Sequence, residues 1–201
     1  MRRLTVGLTG SIGAGKSEAL AALARLGAAT ADCDAVAREL SAPGGVLARA
    51  VSRSFGPRFL SPDGSVDRPA LARLVFARPA ARRKLERLSH PLILAEVRRR
   101  LRRSRVPVAV VAAPLLFEAG LGSSFDVTAA VTAPWPARLA RSRRRDRSTA
   151  AQVRARARAQ WPERRKAARA DVALANAGTL ADFRRRVAQY YRAWELIAQG
   201  S

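Results

Sequence analysis

Short apolar runs alternate with segments of helical period along this chain. Leu4-Thr5-Val6-Gly7-Leu8 is a nearly continuous apolar stretch, the pattern of a strand buried on both faces. A helical pattern from about Lys16 to Leu26 follows, with Leu20, Leu23 and Leu26 toward one side and Gly27 as its C′ residue. Ala28 to Ala31 then leads into Asp32-Cys33-Asp34, which reads as a second strand with carboxylates at its carboxyl end. Strand character returns at Val106 to Val111, at Val127 to Val131 and, weakly, at Val172-Ala173-Leu174. The last segment predicts a helix capped by Thr179, with Leu180, Phe183, Val187, Tyr190, Trp194 and Ile197 near one face.

Helices fill the intervals. Between the second and third strands the pattern predicts helices over Ala35 to Leu40, around Val46 to Phe55, and after Asp67, an N-cap for a helix opened by Arg68-Pro69. A long arginine-rich helix follows from Pro79 to about Arg103, bent or broken near His90-Pro91. Beyond Pro134-Trp135-Pro136 come a basic segment from Arg138 to Arg147, a Thr149-led helix through Trp161, and a shorter one from Pro162 to Ala170. Such alternation argues for a doubly wound parallel α/β sheet of about five strands. The organisation expected is a single domain, with a core of about 1–40, 105–135 and 170–201, a helical insertion of about 41–104 and a basic segment of about 136–169.

One stretch carries explicit chemistry. Gly10-Ser11-Ile12-Gly13-Ala14-Gly15-Lys16-Ser17 spells G-x-x-x-x-G-K-S between a strand and a helix, the context of a phosphate-binding loop. Its glycines let successive N–H groups turn inward toward phosphate oxygens, and the N-terminus of the following helix adds partial positive charge. In this reading Lys16 reaches the β- and γ-phosphates and the Ser17 hydroxyl holds Mg²⁺. The competing reading, a flexible turn that matches by chance, does not account for strand, loop and helix arriving in order. Asp32 and Asp34, at the end of the second strand, stand where an open α/β sheet binds ligands. A carboxylate there can face the γ-phosphate and accept a proton from an attacking hydroxyl, the role open to Asp34, and Asp32 could assist the Mg²⁺ shell; for both the competing reading is a cap on the helix that follows.

Composition narrows the class. With 201 residues, 48% of them hydrophobic, the chain is long enough for one full core. No apolar run is long enough to span a membrane and no signal peptide is evident, so a cytoplasmic location is expected. The single cysteine, Cys33, read as a small buried side chain, and the single histidine, His90, exclude an internal disulfide and a cysteine- or histidine-rich metal site. A formal charge of +23 would ordinarily suggest a nucleic-acid partner. Yet Lys16, Lys84 and Lys166 are the only lysines among 38 basic residues, a skew toward arginine that looks like compositional bias. No specific nucleic acid is expected, because aromatic residues make up only 5% and supply no stacking platform. Nonspecific binding at low salt stays open.

The ordered motifs together resemble the dephospho-CoA kinase family over nearly the whole chain. They are Gly7-Leu8-Thr9 leading into the loop, Asp32-Cys33-Asp34 with Ala37-Arg38-Glu39-Leu40, Leu88-Ser89-His90-Pro91-Leu92-Ile93, and Pro114-Leu115-Leu116-Phe117-Glu118. Arg141 with Arg145-Asp146, Gln160, Lys166, Ala170-Asp171 and Asn176-Ala177-Gly178 complete the set. The resemblance implies a P-loop kinase fold in which the insertion binds substrate and the basic segment is an arginine-rich lid. It implies transfer of the γ-phosphoryl of ATP, with Mg²⁺, to the ribose 3′-hydroxyl of dephospho-CoA, the last step of coenzyme A biosynthesis. Asp34 matches the family's catalytic base, and Arg141 and Arg145 match lid arginines that neutralise phosphate charge. Loop residues Gly10 to Ser17, with Glu18 after them, would hold the nucleotide, and Ser17 with Asp32 the metal.

Two positions depart from the family pattern, and a third has little specificity. Ala112 stands where members often carry an aspartate, so no carboxylate ends the third strand and the metal relies on Ser17, phosphates, water and the Asp32/Asp34 pair. Glu18 replaces a frequent threonine, and His90 reads as a packed or capping residue. Two alternatives stay open: a kinase of another small hydroxyl substrate or nucleoside, and a nucleic-acid-binding NTPase.

Overall fold

In the computed structural model, which describes residues 3–200, the apolar runs become β1 (Leu4–Gly10), β2 (Ala29–Asp32), β3 (Val108–Ala112), β4 (Val127–Thr132) and β5 (Val172–Ala175). They form one sheet in the order β2-β3-β1-β4-β5. β1 lies parallel to both β3 and β4, and β4 is parallel to β5. Val6 pairs with Val110 on one side and Val127 on the other. Val6, Leu8, Val108, Val110, Ala129 and Val131 are fully buried, as a parallel sheet covered on both faces requires.

The helices are α1 (Lys16–Arg25), α2 (Cys33–Leu40), α3 (Val46–Phe55), α4 (Arg68–Ala77), α5 (Pro79–Arg102), α6 (Trp135–Asp146), α7 (Ala150–Arg158), α8 (Glu163–Arg169) and α9 (Leu180–Gly200). The chain folds as two compact units: one runs up to Thr30 and resumes at Ser104, and the other is Ala31–Arg103. In the first unit α1 and α9 pack on each other and against the central strands. The face that α9 buries is Phe183, Val187, Tyr191, Trp194 and Ala198. The sequence pattern puts Leu180, Tyr190 and Ile197 on that face, but Leu180 and Ile197 are exposed and Tyr190 only packs at its margin. The small Ala198 and the amphipathic Tyr191 were the informative positions, and a count of large apolar residues passes over both.

Beyond the end of β2 the second unit is helical, apart from one antiparallel bridge between Leu60 and Val66. Its core is Leu47, Ala48, Val51, Phe59, Val66 and Leu71. Here α2 packs on α3 and α5, which draws it into the helical unit, whereas the sequence pattern assigns it to the sheet core. Asp67 caps α4 by accepting from the Ala70 N–H at 2.9 Å. α5 runs unbroken through Pro91. A proline removes only one backbone donor, and packing of α5 on α2, α3 and α4 holds the helix across that gap.

The sheet carries the same clamp twice, at the amino ends of its strands. Asp126, just before β4, accepts from the Thr5 N–H at 2.8 Å and the Thr5 hydroxyl at 2.6 Å in β1. Asp171, just before β5, accepts from the Thr128 N–H and hydroxyl in β4, both at 2.7 Å. In return each threonine Oγ1 accepts the backbone N–H of its aspartate. Thr128's hydrogen bonds hold the Asp171 carboxyl below the ordinary range. Its contribution is therefore complete above the unfolded carboxyl value, about pH 4, and is lost as pH falls through the folded one. Asp171→Ala should cost about 1–2 kcal/mol at pH 7, or about 2–8 °C in Tm. Thermal melts should show that the gap from wild type narrows toward pH 3; a constant gap would assign the loss to something other than the carboxylate.

Candidate active site

The loop that closes β1 onto α1 gets its shape from two glycines in the left-handed region, Gly13 at φ 75° and Gly15 at φ 106°. A Cβ at Gly13 would overlap the Arg138 carbonyl oxygen, and one at Gly15 would overlap the Asn176 amide nitrogen. Substitution at either is therefore barred by backbone conformation and by space. Gly15 is the N-cap of α1 and offers no side chain to the helix, so the first-turn N–H groups are left for an external acceptor.

Three groups from the carboxyl-terminal third of the chain hold this loop. Gln160 Oε1 accepts the Ile12 N–H at 3.0 Å, and Arg138 Nε donates to the Ile12 carbonyl at 3.0 Å. Asn176 Nδ2 donates to the Ala14 carbonyl at 2.8 Å. Arg138 is itself buried and pairs with Glu163 at 3.3 Å. Burial pushes the Glu163 carboxyl up, opposed by Arg138 and by the Ala133 N–H.

Beside the loop lies an open cavity of about 610 Å³, lined by Gly15, Ser17, Glu18, Arg141, Arg144, Arg145, Asn176 and Leu180. Arg141 Nη2 donates to Asn176 Oδ1 at 3.3 Å, while its Nη1 is buried with no hydrogen-bond partner. A cavity wall with an orphaned guanidinium nitrogen suits an anionic or acceptor-rich ligand. Arg145 instead grips Asp146 through two bonds of 2.7 and 3.0 Å. Arg145 and then Arg156 draw the Asp146 carboxyl down to about 2. Glu18 bridges Arg25 at 3.1 Å and Arg184 at 2.7 Å, which balances its charge at the mouth of the loop.

The sequence-predicted loop residues Gly15 and Ser17, with Glu18, Arg141 and Arg145, thus meet at one cavity. Asp32 and Asp34 belong to the helical unit. Asp32 ends β2 and caps α2, accepting the Asp34 N–H at 2.8 Å, so Asp34 lies in the first turn of a helix rather than at a strand end. Cys33 opens the same helix and is half-buried, not fully buried as expected from sequence.

Sequence reasoning assigned no role to Asn176 or Gln160 and did not pair Lys166 with Glu118. Lys166 Nζ lies 2.8 Å from Glu118 Oε1 and also donates to the Pro114 carbonyl, and the lysine side chain is 1% exposed. Glu118 Oε1 further accepts the Trp161 N–H at 2.9 Å. A usable signal existed for Asn176, a polar residue at the carboxyl end of the last parallel strand, the side on which such sheets bind ligands. For Gln160, in the turn after α7, and Lys166, in α8, the only signal was their place in the family resemblance, which names no partner for either.

The dephospho-CoA kinase family model matches residues 4–182. A dephospho-CoA kinase of Moorella thermoacetica is 44% identical over 179 residues, covering 87% of this chain and 84% of that protein. One from Geobacter sulfurreducens is 41% identical over 189 residues, covering 92% and 96%. A crystal structure of a Thermus thermophilus protein superposes with a TM-score of 0.81 at 34% identity, covering 96% of this chain and 98% of that one. Near full-length similarity in sequence and fold, on a chain whose glycine-rich loop between β1 and α1 opens onto an arginine-lined cavity, shows that it belongs to the dephospho-CoA kinase family.

Proposed function

We propose that this chain transfers the γ-phosphoryl group of ATP to the ribose 3′-hydroxyl of dephospho-CoA, in the cytoplasm, with Mg²⁺. The observation that carries the reading is the cavity beside Gly15 and Ser17, with the buried, unpartnered Nη1 of Arg141 in its wall. Backbone N–H groups of Gly10 to Ser17 cradle the phosphates, and Lys16 neutralises charge on the β- and γ-groups. Arg141 and Arg145 bind the phosphates from the lid side. Arg145 must exchange its Asp146 partner to do so, which makes it a contact formed on closure.

Ser17, a hydroxyl at the cavity, fits an ion that arrives with its phosphates. Among the described residues no cluster of three or more His, Cys, Asp or Glu could cage a metal by itself, and Mg²⁺ commonly takes few protein ligands. Ser17 would hold it, with Asp32 at its water shell; bound with ATP, it would neutralise charge on the transferring group. Asp34 accepts the proton of the attacking hydroxyl. Phosphoryl transfer is loose, so a carboxylate that orients the hydroxyl suffices.

Incubation with ATP, Mg²⁺ and dephospho-CoA should yield coenzyme A and ADP in equal amounts by liquid chromatography. An oligonucleotide or a nucleoside in its place should yield neither product nor faster ATP hydrolysis. Absence of coenzyme A, together with phosphorylation of the oligonucleotide or nucleoside, would replace this reading with one of its alternatives.

A further inference from the structure

Both backbone polar groups of Ile12, in the middle of the phosphate loop, are taken by side chains from the two ends of one basic segment. Arg138, in the first turn of α6, donates to the Ile12 carbonyl at 3.0 Å. Gln160, two residues past the end of α7, accepts the Ile12 N–H at 3.0 Å. The arginine-rich helices α6 and α7 thus leave from the loop and return to it. Neither anchor is loose. Arg138 is 8% exposed and paired with Glu163, and the Arg138 backbone and Ser142 side chain occupy the space a Cβ at Gly13 would need. Gln160 is followed by Trp161, whose N–H is bonded to Glu118 and whose ring lies 3.5 Å from the Arg165 guanidinium. Arg141, Arg144 and Arg145, all on α6, line the cavity beside Gly15 and Ser17.

From this geometry we propose that Gln160 is a positioning residue for ATP. It holds the Ile12 N–H, and with it the curvature of the loop, in register with the arginines of α6. The inference rests on the reading of Gly10 to Ser17 as the ATP phosphate site. Ile12 N–H lies at the third position of the G-x-x-x-x-G-K-S stretch, ahead of the N–H groups around Gly15 to Ser17 that open the helix, and it needs an acceptor of its own. Without one, the loop must find another turn to satisfy it, and the donors that follow move with it. Because the grip is on the phosphate loop alone, the effect falls on ATP and not on the phosphoryl acceptor.

Three variants separate the outcomes. Gln160→Met keeps length and removes the acceptor; Gln160→Glu keeps an oxygen that accepts the N–H; Lys16→Ala tests the loop assignment itself. We expect Gln160→Met to raise the KM for ATP about tenfold, the worth of one hydrogen bond, with the KM for dephospho-CoA unchanged within about twofold. Gln160→Glu should stay within about threefold of the parent. Amide hydrogen exchange on the unliganded protein should show Ile12 protected in the parent and in Gln160→Glu, and exposed in Gln160→Met. Equal KM values for the Met and Glu variants, a parallel rise in the acceptor KM, or unchanged Ile12 exchange would overturn the proposal. If Lys16→Ala also leaves ATP binding unchanged, the loop assignment itself fails; if Lys16→Ala weakens binding and Gln160→Met does not, only the role of Gln160 fails.

Discussion

Asp34→Asn should leave ATP binding within about twofold of the parent and lower kcat by about 10²–10⁴, the usual worth of a general base. The substitution preserves size and the helical position, and the backbone N–H of residue 34 still donates to Asp32 Oδ1, so the turn that presents the side chain is kept. The negative charge and the ability to take a proton are removed together. Nucleotide titration by intrinsic tryptophan fluorescence and steady-state kinetics separate the two quantities. Near-normal turnover would remove Asp34 from the mechanism. A loss confined to the acceptor KM would make it a binding residue instead. Asp32→Asn is the informative companion. An asparagine still caps α2, so a large loss of turnover at saturating ATP, reversed by raised Mg²⁺, would speak for a carboxylate near the metal.

Lys166→Met should cost about 3–5 kcal/mol of stability, or about 6–20 °C in Tm. Lys166 is buried at 1% exposure, and its ammonium meets Glu118 Oε1 at 2.8 Å and the Pro114 carbonyl. Burial pushes the lysine's pKa down, the Glu118 carboxylate pushes it back up, and the nearby Arg138 and Lys16 cations add to the lowering. Removing the lysine strands a carboxylate that is itself 9% exposed and already has one oxygen, Oε2, buried without a partner. The penalty is that of a buried charge without a counter-ion, larger than the packing lost. Lys166→Met combined with Glu118→Leu strands neither charge, and should recover a good part of the Tm. The Trp161 N–H loses its acceptor in that variant, so recovery should stop short of the parent. Thermal melts of the three proteins check this; a double variant no more stable than Lys166→Met alone would show that the pair is not the source of the loss.

The two sites differ in how visible they were beforehand. Asp34 stands beside Asp32 at the end of an apolar run, a local pattern that can be read from three residues. Its actual backbone setting, in the first turn of α2, could not be read, because Asp32 as N-cap starts the helix two residues earlier than the apolar periodicity does. Glu118 and Lys166 are each ordinary charged residues in their local sequence. Only when β3's following loop and α8 meet does the pair become buried and costly to break.

What the sequence determined by itself is whatever depends on near neighbours. The strand-loop-helix around Gly10 to Ser17, the succession of strands and helices along the chain, the Asp67 and Thr149 caps and the helical character of the stretch between β2 and β3 all rest on periodicity and turn chemistry within about ten residues. What only the tertiary structure decided is which distant groups hold that loop and line its cavity. Ile12 and Gln160 are 148 residues apart, and Ala14 and Asn176 are 162 apart. The same is true of the buried face of α9 and of the aspartate clamps on Thr5 and Thr128. A hydrogen bond between such positions leaves no periodic trace in either segment. Its partners are chosen by the packing of the sheet and helices, and that packing is a property of the whole chain.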